Sequence, residues 1–196
     1  FLLDKHGLVV PQTFKLPAPN GLAVAKQALQ GLVKDGTTSN TIPNGFEAVL
    51  PAGTEVLGTN LKGHTLIVDF SKEFKSYKPE DEKKILEAVT WTATQFNGVD
   101  HVKIRINGVN QNVMPVNKTV IGKDGASRAA GINEETGNVV DVTGSQAVTL
   151  YFPAQAGDHY YYVPVTTRTD GDKSKIVAAV NGLINGSTEN SGLLNV

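Results

Sequence analysis

The apolar residues of this chain change period as it runs, and the order of those changes constrains the fold more than any other feature. Val102, Ile104 and Ile106 alternate with Lys103 and Arg105 until Gly108, the two-residue period of a strand buried on one face. Before it, after Pro79, Ile85, Leu86, Val89, Ala93 and Phe96 form one helical stripe that ends at Asn97 and Gly98. Glu80, Asp81 and Glu82 place negative charge beside the open N–H groups of that helix's first turn. Residues 55–60 and 64–70 flank Leu61, Lys62 and Gly63 and read as a hairpin, with Leu66, Val68 and Phe70 on one face. Further upstream, residues 46–50 read as a short strand. A helix is expected over residues 21–35, with Asn20 as N-cap and Gly36 as stop. Residues 8–16 read as a strand that pairs with residues 1–3.

Strand, helix, hairpin, helix, strand is the order of an α+β unit, in which two helices cover one face of a small sheet and leave the other face polar. A doubly wound nucleotide fold would need nearly continuous apolar strands and a glycine-rich strand-to-helix turn, and the chain has neither. After about 40 residues rich in Asn, Gly and Thr, part of which should strap against the first unit, the pattern restarts. Residues 148–152 and 160–165 read as a strand pair around Gly157 and Asp158, and residues 173–185 as a helix. Ala28, Gly31 and Leu32 fall on Ala179, Gly182 and Leu183 with one constant offset. The expected organisation is therefore a first unit over residues 1–133, a linker over 134–147 hinging between Glu134 and Ser145, and the N-terminal part of a second unit over 148–196.

The 196 residues carry 18 Lys and Arg against 19 Asp and Glu, a net charge of −1, which argues against a nucleic-acid binder and against a polybasic membrane surface. With 40% apolar and 19% charged residues the chain has the means to bury a core. Zero cysteine removes disulfides, thiolate metal sites and a cysteine nucleophile from these residues. The apolar runs are far shorter than the roughly 20 residues of a membrane span. Because the sequence opens on Phe1, Leu2 and Leu3 without an initiator Met, the true amino terminus, with any signal peptide or lipid anchor, is expected upstream.

Reactive constellations are scarce. His6, His64, His101 and His159 are widely separated and read as surface residues at turns and strand ends. Ser127 and Ser145 lack the nucleophile-elbow pattern, and the run Asp170, Gly171, Asp172 lacks the later ligands of a calcium loop and reads as the turn before a helix. Glu80 to Glu82 would suit paired catalytic carboxylates, but their place at a helix start accounts for them. No cofactor and no metal is expected. Two aromatic features stand out. Trp91 projects from the side of its helix opposite the stripe, either to cover an edge of the linker or to anchor an interface. Tyr160, Tyr161 and Tyr162 put rings on both faces of one strand, which suits a core and a partner equally and leaves a sugar-stacking platform as a lesser reading. Trp91, Lys103, Arg105, Tyr160, Tyr161 and Tyr162 are the candidate interface.

Specific strings then carry a resemblance. Leu50-Pro51-Ala52-Gly53-Thr54, Gly63, Val68-Asp69-Phe70-Ser71 with Phe74, Thr92-Ala93-Thr94, Phe96-Asn97-Gly98-Val99 and Val102 with 104–108 resemble the sporulation and spore germination domain called GerMN. The helix end Gly31-Leu32-Val33 with Gly36, and Arg128 with Ile132-Asn133, resemble it too, and the second copy resembles its beginning. Asp35-Gly36 and Asn97 depart from the Gly-Pro and Pro common in the family, and both concern turns. The resemblance implies tandem GerMN domains, similar to the ring-building motifs of secretion-system rings, with no catalytic residues. It implies a noncatalytic assembly protein of sporulation that makes protein–protein contacts in the channel between mother cell and forespore. It also implies an extracytoplasmic lipoprotein, held to the membrane only through a lipid anchor upstream, in the space between the two membranes. Partners would be other channel proteins, with self-association or exchange through the incomplete second domain, and no nucleic acid. The competing reading is an extracytoplasmic cell-wall glycan-binding module or hydrolase.

Overall fold

A computed structural model describes residues 1–15, 17, 21–135, 145–170, 174–187, 193 and 194. The expected N-cap Asn20, strand residue Leu16, linker positions 136–144 and the turn residues Gly171 and Asp172 lie outside them.

The chain opens with β1 (Leu2–Asp4) and β2 (Val9–Val10), an antiparallel hairpin, followed by α1 (Gly21–Gln30) and β3 (Phe46–Glu47), which pairs with the other edge of β1. The strand expected over 8–16 is only two residues long, because Pro11 has no N–H to continue the ladder. Helix α1 is shorter than the expected 21–35. Its next turn gives its backbone to the preceding loop's neighbour in space: Leu32 O accepts the N–H groups of Val49 and Leu50, and Lys34 N–H donates to Leu50 O.

Next come β4 (Val56–Lys62), β5 (Thr65–Phe70), a short 3₁₀ turn at Pro79–Asp81, α2 (Glu82–Ala93), β6 (His101–Ile106) and β7 (Val109–Gln111). They form one sheet in the order β4–β5–β6–β7, antiparallel at both flanks and parallel at the centre, where α2 makes the crossover from β5 to β6. Strand β7 is an addition to the sequence reading. Asn107 and Gly108 both have positive φ, at 47° and 79°, the backbone that turns a two-residue hairpin. Val56, Leu66, Val68, Phe70, Val102, Ile104 and Ile106 point inward and are buried with Leu29, Phe74, Ile85 and Val89, so both helices cover one face. Ile67 is the exception on the other face: its position facing Asn60 and Lys103 in register leaves it 8% exposed.

The long connection returns over the first unit. Val113 bridges Val120, Ala126 bridges Val102 on the edge of β6, and Met114, Ile121 and Ile132 are buried in the same core. Gly125 is required in this strap: its φ is 98°, and a Cβ there would sit 2.7 Å from Val102 O.

The second unit begins with β8 (Ser145–Ala156) and β9 (His159–Asp170), an unbroken antiparallel hairpin, and ends in α3 (Lys175–Asn185). Both strands outrun the expected 148–152 and 160–165. Pro153 does not stop β8, because its missing N–H lies on the outer edge of the hairpin, the edge on which its carbonyl accepts the N–H of Leu194 at 2.8 Å. The inner face of the hairpin buries Leu150, Phe152, Ala154, Tyr161, Val163 and Val165 together with Val10 of the first unit. Among the described residues the chain is a mixed α/β structure with three α-helices.

Candidate functional site

The strand period sorts the four-stranded sheet into two faces, and the solvated one carries the candidate residues Lys103 and Arg105. In register, Lys62, Thr65 and His101 form one row, Asn60, Ile67 and Lys103 the next, and Gly58, Asp69, Arg105 and Asn110 the third. The Nε of Arg105 donates to Asn110 Oδ1 at 2.7 Å, and Asp69 Oδ1 accepts the Gly108 N–H at 2.9 Å, so the third row is held in place by its own contacts. Lys62, Lys103 and Arg105 face one carboxylate across these rows, which gives the face a cationic bias in a chain whose total charge is near zero.

The tyrosines split as a strand requires. Tyr160 and Tyr162 are exposed, while Tyr161 is buried against Phe46, ring centroids 5.0 Å apart, and donates to Asp4 Oδ2 at 2.8 Å. Burial and the Asp4 carboxylate raise the Tyr161 phenol above its usual range. Tyr161 is therefore a joint between the two units and not a surface group.

Of the two readings of Trp91, cover within the chain and interface anchor, the second is corrected. It is 3% exposed, its Nε1 donates to Gly131 O at 3.2 Å, and Arg128 lies over its ring at 4.5 Å, with Phe1 packed on its edge. The strap covers the indole from within the chain, so no interface can be built on it in this conformation.

The three acids at the start of α2 also part company. Asp81, the N-cap of α2, makes no side-chain capping bond, and Glu82 turns away to the strap. Its side chain is fully buried and accepts the backbone N–H groups of Val116, Asn117 and Thr119 at 2.7–2.9 Å and the Tyr77 hydroxyl at 2.8 Å. Burial works against its ionisation, but the donors from Thr119, Asn117 and Tyr77 outweigh it and hold the carboxyl at about 2. A buried carboxylate thus fixes the first turn of the strap. No sequence signal separated it from its neighbours Glu80 and Asp81.

A second polar cluster joins the units. The Asn133 side chain accepts from Val9 N–H and donates to Val9 O and Pro164 O, each at 2.8 Å, and its own N–H donates to Glu87 Oε2 at 3.2 Å. Burial pushes the Glu87 carboxyl up to about 7, against the Asn133 N–H and the charges of Lys83 and Lys84 and with that of Glu134. Thr166 exchanges hydrogen bonds with Ile132, and Glu135 N–H donates to Thr166 O. Of the expected linker, Glu134 pairs with Lys83 at 2.8 Å and lies 3.8 Å from Arg168, and Glu135 is buried.

His64 reaches Gly98 O and lies 3.6 Å from Asp100 on the surface. Among the described residues no group of three His, Cys, Asp or Glu side chains is placed to hold a metal ion. Among the same residues no helix is long and apolar enough to cross a membrane.

Comparison with known proteins gives this architecture a context. Residues 1–112 match the Germane family, described as sporulation and spore germination. The chain belongs to that family. It is 51% identical over 195 residues to the spore germination protein GerM of Bacillus subtilis, covering 99% of this chain and 52% of that protein. The Germane chain therefore spans about half the length of this curated relative. The solved tandem GerMN domains of GerM superpose on it with a TM-score of 0.90 at 51% identity, over 99% of this chain and 68% of that one. The first GerMN domain of GerM, solved separately, matches 65% of this chain at 54% identity with a TM-score of 0.59, covering 93% of its own length. The relatives are named for sporulation and germination, not for an enzymatic reaction.

Proposed function

We propose that this Germane protein is a noncatalytic assembly component of sporulation, whose folded units make protein–protein contacts in the channel complex between mother cell and forespore. The observation that carries the reading is the solvated sheet face with Lys62, His101, Lys103 and Arg105, set on a chain half identical to a spore germination protein. A face of this polarity suits an acidic partner surface, because charge complementarity speeds and orients encounter. Its place would be extracytoplasmic, tethered by a lipid anchor upstream.

The second unit supports a ring-building or exchange role. With the offset of the internal repeat, Ala25, Leu29, Leu32 and Val33, all buried around α1, fall on Ile176, Val180, Leu183 and Ile184 of α3, which are exposed. In the first unit the sheet β4–β7 and its flanking loops cover those positions. An equivalent layer, from the same polypeptide or from a second copy, would complete α3.

The test is co-purification of channel proteins from sporulating cells carrying a double charge reversal, Lys103→Glu with Arg105→Glu. Loss of the partners with an unchanged melting temperature is expected. Normal capture and normal spore yield would overturn the sheet-face assignment.

A further inference from the structure

Asparagine stands directly before glycine at positions 20, 44, 97, 107, 181 and 185. In such a pair the glycine nitrogen meets no Cβ of its own residue on its way to the asparagine side-chain amide. It can attack the amide carbon where the backbone and the nitrogen are both free, so the described pairs differ by what holds them. Asn20 lies outside the described residues. Asn181 and Asn185 belong to α3, whose backbone torsions are set by the helix. Asn107 opens the turn between β6 and β7, and the Gly108 N–H donates to Asp69 Oδ1 at 2.9 Å, which ties the nucleophile down. Asn44 sits in a turn closed by the Phe46 N–H on Pro43 O, but a Cβ on Gly45 would lie 3.3 Å from Ala156 Cβ, so the second hairpin crowds that loop.

Asn97 has none of these restraints. It and Gly98 are the exposed central residues of a turn closed by the Val99 N–H on Phe96 O at 3.1 Å, with Gly98 at a φ of 81°. Among the described residues nothing accepts the Gly98 N–H or bonds the Asn97 side chain, and nothing lies within 4 Å of a Cβ placed on Gly98. His64, from the turn between β4 and β5, completes the cluster. Its Nδ1 lies 3.2 Å from Gly98 O and 3.6 Å from the Asp100 carboxylate, and its backbone carbonyl accepts the N–H groups of Asp100 and His101. An imidazole so placed can take a proton from one nitrogen and hand it to another.

We propose that Asn97 is a self-modifying site, at which the Gly98 nitrogen closes on the Asn97 side-chain amide with His64 carrying the proton. The bond from Gly98 N to Asn97 Cγ forms, the bond from Cγ to Nδ2 breaks, and the Gly98 proton departs with the leaving group as ammonia. Water then opens the cyclic imide at either of its carbonyls, which leaves an aspartyl or an isoaspartyl residue at position 97. No oxidant or reductant takes part. The product carries a new carboxylate just beyond the C-terminal end of α2, where the helix dipole disfavours an anion. The isoaspartyl form also lengthens the main chain by one carbon shortly before Val99, which is buried and leads into β6. Modified molecules should therefore hold the centre of the four-stranded sheet less firmly and melt below the parent. This site does not depend on the role given to the sheet face.

The test holds the intact protein at neutral pH and body temperature and follows each Asn-Gly pair by peptide mapping with mass spectrometry, with an enzymatic isoaspartate methylation assay beside it. Asn97 should convert at least about tenfold faster than Asn107, whose nucleophile is held, and ahead of Asn44. Asp69→Ala, which releases the Gly108 N–H, should speed conversion at Asn107 and leave Asn97 as in the parent. His64→Ala should slow Asn97 by about threefold or more. Asn97→Gln should bring conversion at that position below detection over the same period. No conversion at Asn97 in the parent, or conversion no faster than at Asn107, would overturn the inference. A rate indifferent to His64→Ala would overturn the part given to the imidazole. Should His64→Ala disturb the turn, His64→Gln, which keeps a donor but is no base, carries the same comparison.

Discussion

The side-chain amide of Asn133 closes on both backbone groups of Val9, accepting its N–H and donating to its carbonyl at 2.8 Å each. It does for the edge of β2 what a neighbouring strand would do. The same amide holds Pro164 O, so one residue ties the strap, the first hairpin and β9 together. Its φ of 46° is in the left-handed region, which asparagine tolerates better than most residues.

Asn133→Ala should cost about 2–4 kcal/mol, because it strands three backbone groups that the amide satisfies. Chemical denaturation measures the loss, and faster amide exchange at Val9 locates it. Unchanged exchange at Val9 would show that the amide is not its cover.

Glu82→Gln should loosen the strap by about 2–3 kcal/mol, since the neutral amide loses charge-assisted bonds and turns donors toward donors. In the parent, the folded carboxyl lies at about 2 against 4.5 unfolded, so the folded state binds fewer protons between those values. Its stabilisation is complete above pH 4.5 and fades as the pH falls toward 2. Acid denaturation curves of parent and variant should converge in that window.

Glu87 has the opposite sign. Its carboxyl is raised from 4.5 to about 7, so between those values the folded state holds a proton that the unfolded state has lost. Stability from this residue is present below pH 4.5 and declines as the pH rises through 7, by roughly 3 kcal/mol at most. Glu87→Gln should flatten that decline while leaving the acid limb due to Glu82. Melting temperatures from pH 4 to 8 decide it.

Gly125→Ala should destabilise by about 1–3 kcal/mol, through both the positive φ and the clash with Val102 O. Gly98→Ala is the control: φ is 81° there too, but nothing lies within 4 Å of an added Cβ, so the smaller loss reports the backbone cost alone.

Elements with a strong period were legible before any coordinates. The alternation 102–106 and the stripe from Ile85 to Ala93 appear as β6 and α2. What escaped had local causes. Strand β7 hides in Val109–Gln111, too short for a period, and only the Asn107-Gly108 turn announces it. The ends of β8 hide behind Pro153 and runs of Ala and Gln, residues with little strand preference that are held by cross-strand pairing. Lys103, Arg105, Tyr160 and Tyr162 could be placed on faces from spacing alone. Burial of Trp91 and Glu82 could not, since the strap bonds them from 40 and 37 residues away, and sequence spacing carries no information about such a return.

Neighbouring strand residues point to opposite sides, and β2 is only Val9 and Val10. Val9 sinks into the interior of the first unit and Val10 into that of the second. Two consecutive side chains of identical shape thus serve two interiors. Pairing with Leu2 and Leu3 and the Asn133 clasp together fix which valine faces which interior, so the register of this two-residue strand, with the Tyr161–Asp4 and Ile132–Thr166 bonds, sets how the second unit is seated on the first.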